Sequence, residues 1–150
     1  GHFDHLGGVA RIKKATNATV LMNKDDQYMV ETAAQQAELF GLPVPGEFDV
    51  DRFVDESDII EIGNLKASIL TTPGHSKGSV CYLFDKCVFV GDTLFYGGVG
   101  RTDLEGGSFE QLVHSIKSKL FTLSDDVKVY CGHGPSTTIG REKKYNPFIN

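Results

Sequence analysis

The stretch Gly1-His2-Phe3-Asp4-His5-Leu6-Gly7-Gly8 decides how the rest of this 150-residue sequence is interpreted. It places two imidazoles and a carboxylate within four positions, and a glycine pair and the helically spaced apolar residues Val9 and Ile12 follow. Imidazole nitrogen and carboxylate oxygen are ligands that Zn²⁺ and similar borderline metal ions favour. The stretch therefore predicts a metal-ligating loop that leads into a helix.

Three later segments each offer one more ligand among turn-forming residues. They are Thr72-Pro73-Gly74-His75, Val90-Gly91-Asp92-Thr93 and Cys131-Gly132-His133-Gly134. A histidine on its own is usually a surface or core residue, and His114, inside a predicted amphipathic helix, is interpreted in that way. The candidates that lie in predicted loops beside Gly or Pro instead favour a shared metal site. These metal-ligand candidates are His2, Asp4, His5, His75, Asp92 and His133.

Taken together, the motifs H-x-D-H-x-G-G, T-P-G-H, G-D-T-L-F and C-G-H-G resemble those of the metallo-β-lactamase superfamily. Within it, the sequence resembles the glyoxalase II-like hydrolases of the short bacterial type. The further matches are Gly100-Arg101-Thr102-Asp103-Leu104 and Thr137-Thr138-Ile139-Gly140-Arg141-Glu142 with Asn146-Pro147-Phe148. The resemblance covers nearly all of the chain. It implies an α/β fold, the αββα sandwich, with residues 1–150 as one metallo-β-lactamase-like domain.

The family motif is H-x-H-x-D-H, and its first histidine would fall immediately before Gly1. From this resemblance we expect that the chain is cut inside the ligand loop and that the family's N-terminal strands are missing from it. We also expect this chain to be weakly active or inactive, because one ligand of the second ion would be absent.

The resemblance implies a ligand set for two divalent ions, with Zn²⁺ expected and Fe or Mn as alternatives. The first ion would bind Asp4, His5 and His133. The second would bind His2, His75 and the histidine before Gly1, and Asp92 would bridge both. Such ions lower the pKa of a bound water, polarise a carbonyl and stabilise an oxyanion, so that metal-bound hydroxide would be the nucleophile and Asp4 would orient it.

The expected reaction is hydrolysis of a small-molecule thioester, with S-lactoylglutathione giving lactate and glutathione. Arg101 is the candidate for binding a substrate carboxylate, because the family places a glutathione-binding Lys in this stretch. An internal salt bridge from Arg101 to Asp103 or Asp92 is an equally weighted alternative. The sequence departs from the family pattern where Asp103 replaces a Tyr and where Gly134-Pro135 follows His133, and both departures bear on glutathione recognition.

Other functions stay open at this point. Persulfide dioxygenases share the scaffold, hold one iron and also carry a G-R-T-D segment, so Gly100–Asp103 does not separate them from the hydrolases. A non-enzymatic fragment or binding module is the third alternative. β-Lactam hydrolysis is disfavoured, because Asp92 stands where class B lactamases commonly use Cys.

Composition excludes several classes of partner. The net charge of −5, without runs of Lys or Arg beyond pairs, argues against nucleic acid. No apolar run approaches the ~20 residues needed to cross a bilayer. Three cysteines without a C-x-x-C pair favour a reduced, cytoplasmic setting.

Hydrophobic periodicity predicts alternating helices and strands. Helices are expected over Leu6–Ala15, from Asp25 or Asp26 to Gly41, from Ser108 to about Leu120, and over Thr138–Tyr145. Strands are expected near 18–22, 53–54, 59–62, 65–70, 80–84, 88–90 and 127–130. A two-residue turn at Asp85-Lys86 would set Phe84 opposite Cys87 and Cys81 opposite Val90, so that the two cysteines are not partners.

Overall fold

The computed structural model describes residues 1–149, and the chain divides into two compact units, Gly1–Val54 and Asp55–Asn150. Each unit has its own helices and strands. Among residues 1–149, no helix has the length and apolar character that crossing a bilayer requires.

The first unit is mainly helical. Its elements are α1 (Phe3–Leu6), α2 (Val9–Thr16), β1 (Leu21–Met22), a 3₁₀ turn (Lys24–Asp26), α3 (Gln27–Leu39) and β2 (Arg52–Phe53). Strands β1 and β2 pair in parallel, with Leu21 opposite Arg52. Helix α1 packs against α3, whose apolar face is buried through Met29, Ala33 and Ala37.

The single helix predicted over Leu6–Ala15 is wrong at its start. Helix α1 ends at Leu6 and α2 begins only at Val9, so the glycine pair Gly7-Gly8 separates two helices. Each glycine in a helix interior costs about 1 kcal/mol relative to alanine, which makes this pair a natural interruption. Asn17 ends α2 in the left-handed conformation, as short polar residues at helix ends often do.

The second unit is built on one six-stranded sheet. Its strands are β3 (Ile59–Ile62), β4 (Leu65–Thr71), β5 (Val80–Leu83), β6 (Cys87–Gly91), β9 (Lys128–Cys131) and β10 (Thr137–Thr138), in the spatial order β10-β9-β6-β5-β4-β3. Neighbouring strands are antiparallel except for β6 and β9. A separate small hairpin joins β7 (Leu94–Phe95) to β8 (Gly98–Val99). This mixture of sheet and helices confirms the predicted α/β class.

The predicted register of the hairpin between β5 and β6 is confirmed. Tyr82 lies opposite Phe89 and Leu83 opposite Val88, while the Phe84 N–H donates to the Cys87 carbonyl at 2.8 Å. Cys81 and Cys87 are both free thiols in this arrangement. The two-residue turn at Asp85-Lys86 is therefore sufficient to predict which side chains of β5 and β6 lie opposite each other.

Helices α4 (Phe109–Ser115) and α5 (Ile139–Tyr145) begin one residue after the predicted starts, Ser108 and Thr138. The Ser108 hydroxyl accepts from the Gln111 N–H, and the Thr138 hydroxyl accepts from the Arg141 N–H, both at 3.3 Å. Helix α4 continues as a π-helical segment, Ile116–Leu120, which the sequence did not predict. Leu112, Ile116 and Leu120 are fully buried in the core with residues of β6 and β9.

Sheet topology brings three of the predicted ligand segments to one edge. Strand β4 is antiparallel to β5, which is antiparallel to β6, so β4, β6 and β9 all run in the same direction. His75 follows β4, Asp92 follows β6 and His133 follows β9. The fold therefore delivers these three side chains to the same end of the sheet.

Candidate metal centre

In the second unit, His75 and His133 both point at the carboxylate of Asp92. The Nε2 atoms of His75 and His133 lie 3.7 and 3.4 Å from Oδ2 of Asp92. His75 and Asp92 are largely shielded from solvent, whereas the His133 side chain is 56% exposed. The structure thus brings together three predicted ligands that are far apart in sequence.

The ring of His75 is oriented from behind by the backbone. Its Nδ1 atom lies 2.7 Å from the carbonyl oxygen of Arg101, which can only accept a hydrogen bond. Nδ1 must therefore carry the proton, and in the neutral ring Nε2 keeps a lone pair directed toward Asp92. This is the arrangement that proteins use to fix the tautomer of a metal-ligating histidine.

Two glycines leave room for the Asp92 carboxylate and main chain. A Cβ atom on Gly132 would collide with Oδ1 of Asp92, and one on Gly100 would collide with the Asp92 carbonyl oxygen. The Gly100 atom would also lie 3.1 Å from Nδ1 of His75. Two imidazoles beside a carboxylate, one of them oriented by the backbone, in a pocket that a methyl group would fill, fit a borderline divalent ion.

Buried hydroxyl and thiol groups lie beneath this cluster. The hydroxyl of Thr72 lies 3.1 Å from that of Thr93 and 3.2 Å from the Cys81 sulfur. Burial raises the pKa of the Cys81 thiol to about 11, although the two threonine hydroxyls act in the opposite direction. Thr72 and Thr93 flank the His75 and Asp92 loops, so these contacts brace the loops rather than supply chemistry. Sequence analysis assigned no role at the candidate metal centre to Thr72 or Cys81.

The first unit holds the other three predicted ligands in and beside α1. His2 is buried and precedes the helix in an extended conformation, and the His5 N–H donates to its carbonyl at 3.0 Å. Nε2 of His5 lies 3.7 Å from Oδ2 of Asp4. Both side chains are partly exposed. The adjacent residues Asp4 and His5 thus direct polar atoms toward each other, as a helix start allows.

Arg101 is engaged by Asp103, one of the two internal partners considered for it. Its Nε and Nη2 atoms donate to Oδ1 and Oδ2 of Asp103 at 2.7 and 2.6 Å. These hydrogen bonds lower the pKa of Asp103 to about 2. The Arg101 side chain is 57% exposed, so it faces solvent while its carbonyl orients His75. Its predicted role in substrate binding stays a prediction.

Sequence analysis missed the buried carboxylate of Glu142, which is 0% exposed. It accepts hydrogen bonds from the Thr137 hydroxyl, the Gly97 N–H, Nη1 of Arg141 and Nδ2 of Asn146, at 2.6 to 2.9 Å. Burial raises the pKa of Glu142, but these hydrogen bonds outweigh it and the net shift is downward. In the sequence, Glu142 stands out only as part of a family motif, because hydrophobic periodicity does not indicate that a charged residue is buried.

Comparison with known proteins gives the family. Residues 1–133 match the profile described as the Metallo-beta-lactamase superfamily. The chain belongs to this superfamily. This membership confirms the αββα fold that the motifs predict. Solved structures of the superfamily also superpose on the chain.

One curated relative of this superfamily member is hydroxyacylglutathione hydrolase GloC of Haemophilus influenzae. It is 40% identical over 154 residues, which cover 100% of this chain and 73% of the relative. The predicted resemblance to glyoxalase II-like hydrolases is confirmed by this similarity.

Three solved structures are similar to the metallo-β-lactamase-like chain. BLEG-1 B3 metallo-beta-lactamase is 36% identical, with a TM-score of 0.91 over 99% of this chain and 73% of the other. TTHA1623, solved in a di-iron-bound form, is 38% identical, with a TM-score of 0.86 over 98% and 73%. ETHE1 from Myxococcus xanthus is 33% identical, with a TM-score of 0.78 over 97% and 58%.

Proposed function

We propose that this metallo-hydrolase superfamily member cleaves thioesters of the hydroxyacylglutathione type. The observation that carries the proposal is the convergence of His75 and His133 on Asp92 at the end of the sheet. The 40% identity to a hydroxyacylglutathione hydrolase over the whole chain supports the choice of substrate. The expected partner is a small-molecule thioester, in a cytoplasmic setting.

The proposed metal ligands are the six side chains selected from the sequence: His2, Asp4, His5, His75, Asp92 and His133. The di-iron form of a 38% identical protein supports two ions as the full complement. Imidazole and carboxylate donors accept Zn, Fe and Mn, and Zn is our first choice. When bound, such ions lower the pKa of a coordinated water and polarise the carbonyl that it attacks.

The protein's own groups would prepare that reaction. The Arg101 carbonyl holds the His75 ring so that Nε2 faces the Asp92 carboxylate. We propose that Asp4 accepts a hydrogen bond from the attacking water and orients it toward the substrate carbonyl. Neither role needs a nucleophilic Ser or Cys, and the fully buried thiol of Cys81 is unsuited to one.

A mononuclear iron persulfide dioxygenase is the second candidate function. Similarity to ETHE1, at 33% identity, supports it, and the segment Gly100–Asp103 fits it equally well. The two candidates differ in the number of ions and in the need for oxygen. A binding module without chemistry is the third candidate.

One experiment separates these candidates. Metal content of the full-length protein is measured after reconstitution with Zn²⁺ or Fe²⁺, and that protein is then assayed for S-lactoylglutathione hydrolysis and for oxygen uptake with glutathione persulfide. The proposal expects about two ions per chain and thioester hydrolysis that Asp92→Asn abolishes but the exposed control Asp126→Asn does not. A single Fe with oxygen uptake and no hydrolysis would favour the dioxygenase. Failure to retain any metal would favour the binding module.

A further inference from the structure

A guanidinium lies flat on an aromatic ring at the hairpin between β7 and β8. The Cζ atom of Arg141 is 3.5 Å from the centroid of the Tyr96 ring. Such stacking fixes the plane of the guanidinium and leaves its edges available to hydrogen-bond acceptors. Tyr96 is about half exposed and the Arg141 side chain is 31% exposed, so the stack is open to solvent.

Glu142 anchors both halves of this stack. Its buried carboxylate accepts from Nη1 of Arg141 at 2.6 Å and from the Gly97 N–H, next to Tyr96, at 2.9 Å. Thr137 and Asn146 share the same carboxylate, so Arg141 is only one of its four donors. The pKa of Arg141 is raised by its hydrogen bond to Glu142, which keeps the guanidinium charged. The stack is therefore held in place before any ligand arrives.

The stack adjoins the candidate metal centre within the second unit. Phe95, the residue before Tyr96, contacts the His133 imidazole edge to face, with ring centroids 6.2 Å apart. Tyr96 thus follows a residue that contacts a proposed metal ligand, and its own ring packs against Arg141.

Arg101 and Arg141 differ in how much of the guanidinium is used. The Nε and Nη2 atoms of Arg101 are both bound by the Asp103 carboxylate. Among residues 1–149, Arg141 donates only from Nη1, to Glu142, because its stacking on the Tyr96 ring uses no N–H donor. A guanidinium has five N–H donors, so these contacts leave part of the Arg141 fork for another acceptor. Carboxylate is the group whose geometry matches that fork.

We propose that Arg141, stacked on Tyr96 and anchored by Glu142, binds a carboxylate of the substrate beside the metal centre. This inference rests on the proposed function and assigns the recognition of substrate charge to Arg141 instead of Arg101. The ligand class is a thioester whose thiol half carries a carboxylate. Such a contact is remote from the reacting carbonyl, so it contributes to binding in the ground state and the transition state alike.

The test compares two thioesters with the same acyl group. S-lactoylglutathione carries carboxylates, and S-lactoyl-N-acetylcysteamine carries none. For the Zn²⁺-reconstituted full-length protein, Arg141→Gln should raise the KM for the first substrate about tenfold, with little change in kcat, and leave the second unchanged. The matched control Lys144→Gln removes one positive charge from the same helix and should change neither, because Lys144 lies over Tyr145 instead.

Three results would overturn the proposal. The first is an unchanged KM for both substrates in Arg141→Gln. The second is an equal loss with both substrates, which would indicate a structural effect. The third is a selective loss with S-lactoylglutathione that appears in Arg101→Gln and not in Arg141→Gln.

A binding measurement keeps this test separate from that of the proposed function. Glutathione binding to the protein is followed by isothermal titration calorimetry without turnover, for the unmodified chain and for Arg141→Gln and Arg141→Lys. We expect about tenfold weaker binding for Gln and a partial loss for Lys, which keeps the charge without the planar fork. If neither thioester is hydrolysed but this pattern holds, the proposed function fails and the carboxylate site stands. Equal affinities in all three proteins would remove the site, whatever the activity.

Discussion

The imidazole Nδ1 of His75 lies 2.7 Å from the main-chain carbonyl oxygen of Arg101, 26 residues further along the chain. The contact joins the T-P-G-H loop after β4 to the G-R-T-D segment, two motifs that sequence analysis treated as separate. It explains why a segment whose side chain faces solvent can still matter for the metal centre. The backbone of Arg101 orients a ligand, while its guanidinium is engaged by Asp103.

The first prediction concerns the tautomer of His75. Because the Arg101 carbonyl can only accept, the neutral His75 ring should carry its proton on Nδ1. Long-range ¹H–¹⁵N correlation spectra of the metal-free protein should show this form, whereas the exposed His114 serves as the reference for a ring on a helix surface. A His75 ring protonated on Nε2 alone would contradict the geometry.

The second prediction concerns the space around Asp92. Gly132→Ala places a methyl group against Oδ1 of Asp92 and should displace the carboxylate. We expect Zn²⁺ affinity, measured by competition with a chelator, to fall by about 10- to 100-fold. Gly98→Ala is the matched control, because its Cβ would only reach ordinary contact distance, 3.7 Å, from Cβ of Phe95. Equal Zn²⁺ affinities in the two variants would contradict this account.

The third prediction concerns the stability that Glu142 provides. Glu142→Gln replaces a buried acceptor of four hydrogen bonds by a group that is uncharged and partly a donor. It should lower the free energy of unfolding by about 2–4 kcal/mol in denaturant titrations at pH 7. The exposed Glu110→Gln on α4 should change it little.

The third prediction also states how the contribution of Glu142 to the free energy of unfolding changes with pH. The folded pKa of Glu142 lies below its ordinary value of 4.5, because the hydrogen bonds to the carboxylate outweigh its burial. Its contribution is therefore complete above about pH 4.5 and is lost as the pH falls through the folded pKa. The decline in stability on acidification should be shallower in Glu142→Gln. Parallel curves for the two proteins would show that folding does not lower the pKa of Glu142.

The fourth prediction concerns Glu56, whose carboxylate links two elements of the second unit. Lys119 donates to it at 2.8 and 3.0 Å, and the hydroxyl and N–H of Thr71 donate to it as well. These hydrogen bonds, led by Lys119, lower the pKa of Glu56 to about 2. In Lys119→Gln, NMR titration should find this pKa moved toward 4.5, whereas Lys117→Gln should leave it low. The stability effect should stay under about 1 kcal/mol, because both side chains are more than one third exposed and solvent screens the pair.

The fifth prediction concerns thiol reactivity. Cys81 is fully buried with a pKa of about 11, whereas Cys87 and Cys131 are only partly buried. Because the thiolate is the reactive form, iodoacetamide should modify the native protein at Cys87 and Cys131 and spare Cys81. Peptide mapping by mass spectrometry distinguishes the sites, and all three should react after unfolding. Early labelling of Cys81 in the native state would contradict the buried Thr72–Cys81–Thr93 contacts.

Local features of the fold were predictable where neighbouring residues determine them. The two-residue turn at Asp85-Lys86 set the register of β5 and β6, and Ser108 and Thr138 marked the starts of α4 and α5. Such turns and caps are closed by hydrogen bonds within a few residues, so their partners are visible in the sequence. The single helix predicted across Gly7-Gly8 was wrong, because the prediction followed the helical spacing of the apolar residues and did not treat the glycine pair as an interruption.

By itself the sequence determined the superfamily, the α/β class and the six candidate ligands, because loop motifs and hydrophobic periods are local patterns of residue type. Only the tertiary structure decided that His75 and His133 meet at Asp92, that the Arg101 carbonyl orients His75, and that Glu142 holds Arg141 against Tyr96. The first two contacts form at the end of the sheet, where loops from different strands meet. The last depends on the buried carboxylate of Glu142, which binds both the adjacent Arg141 and Gly97, 45 residues away. Burial and direction of a polar side chain depend on what the rest of the chain packs around it, and residue type alone does not carry that information.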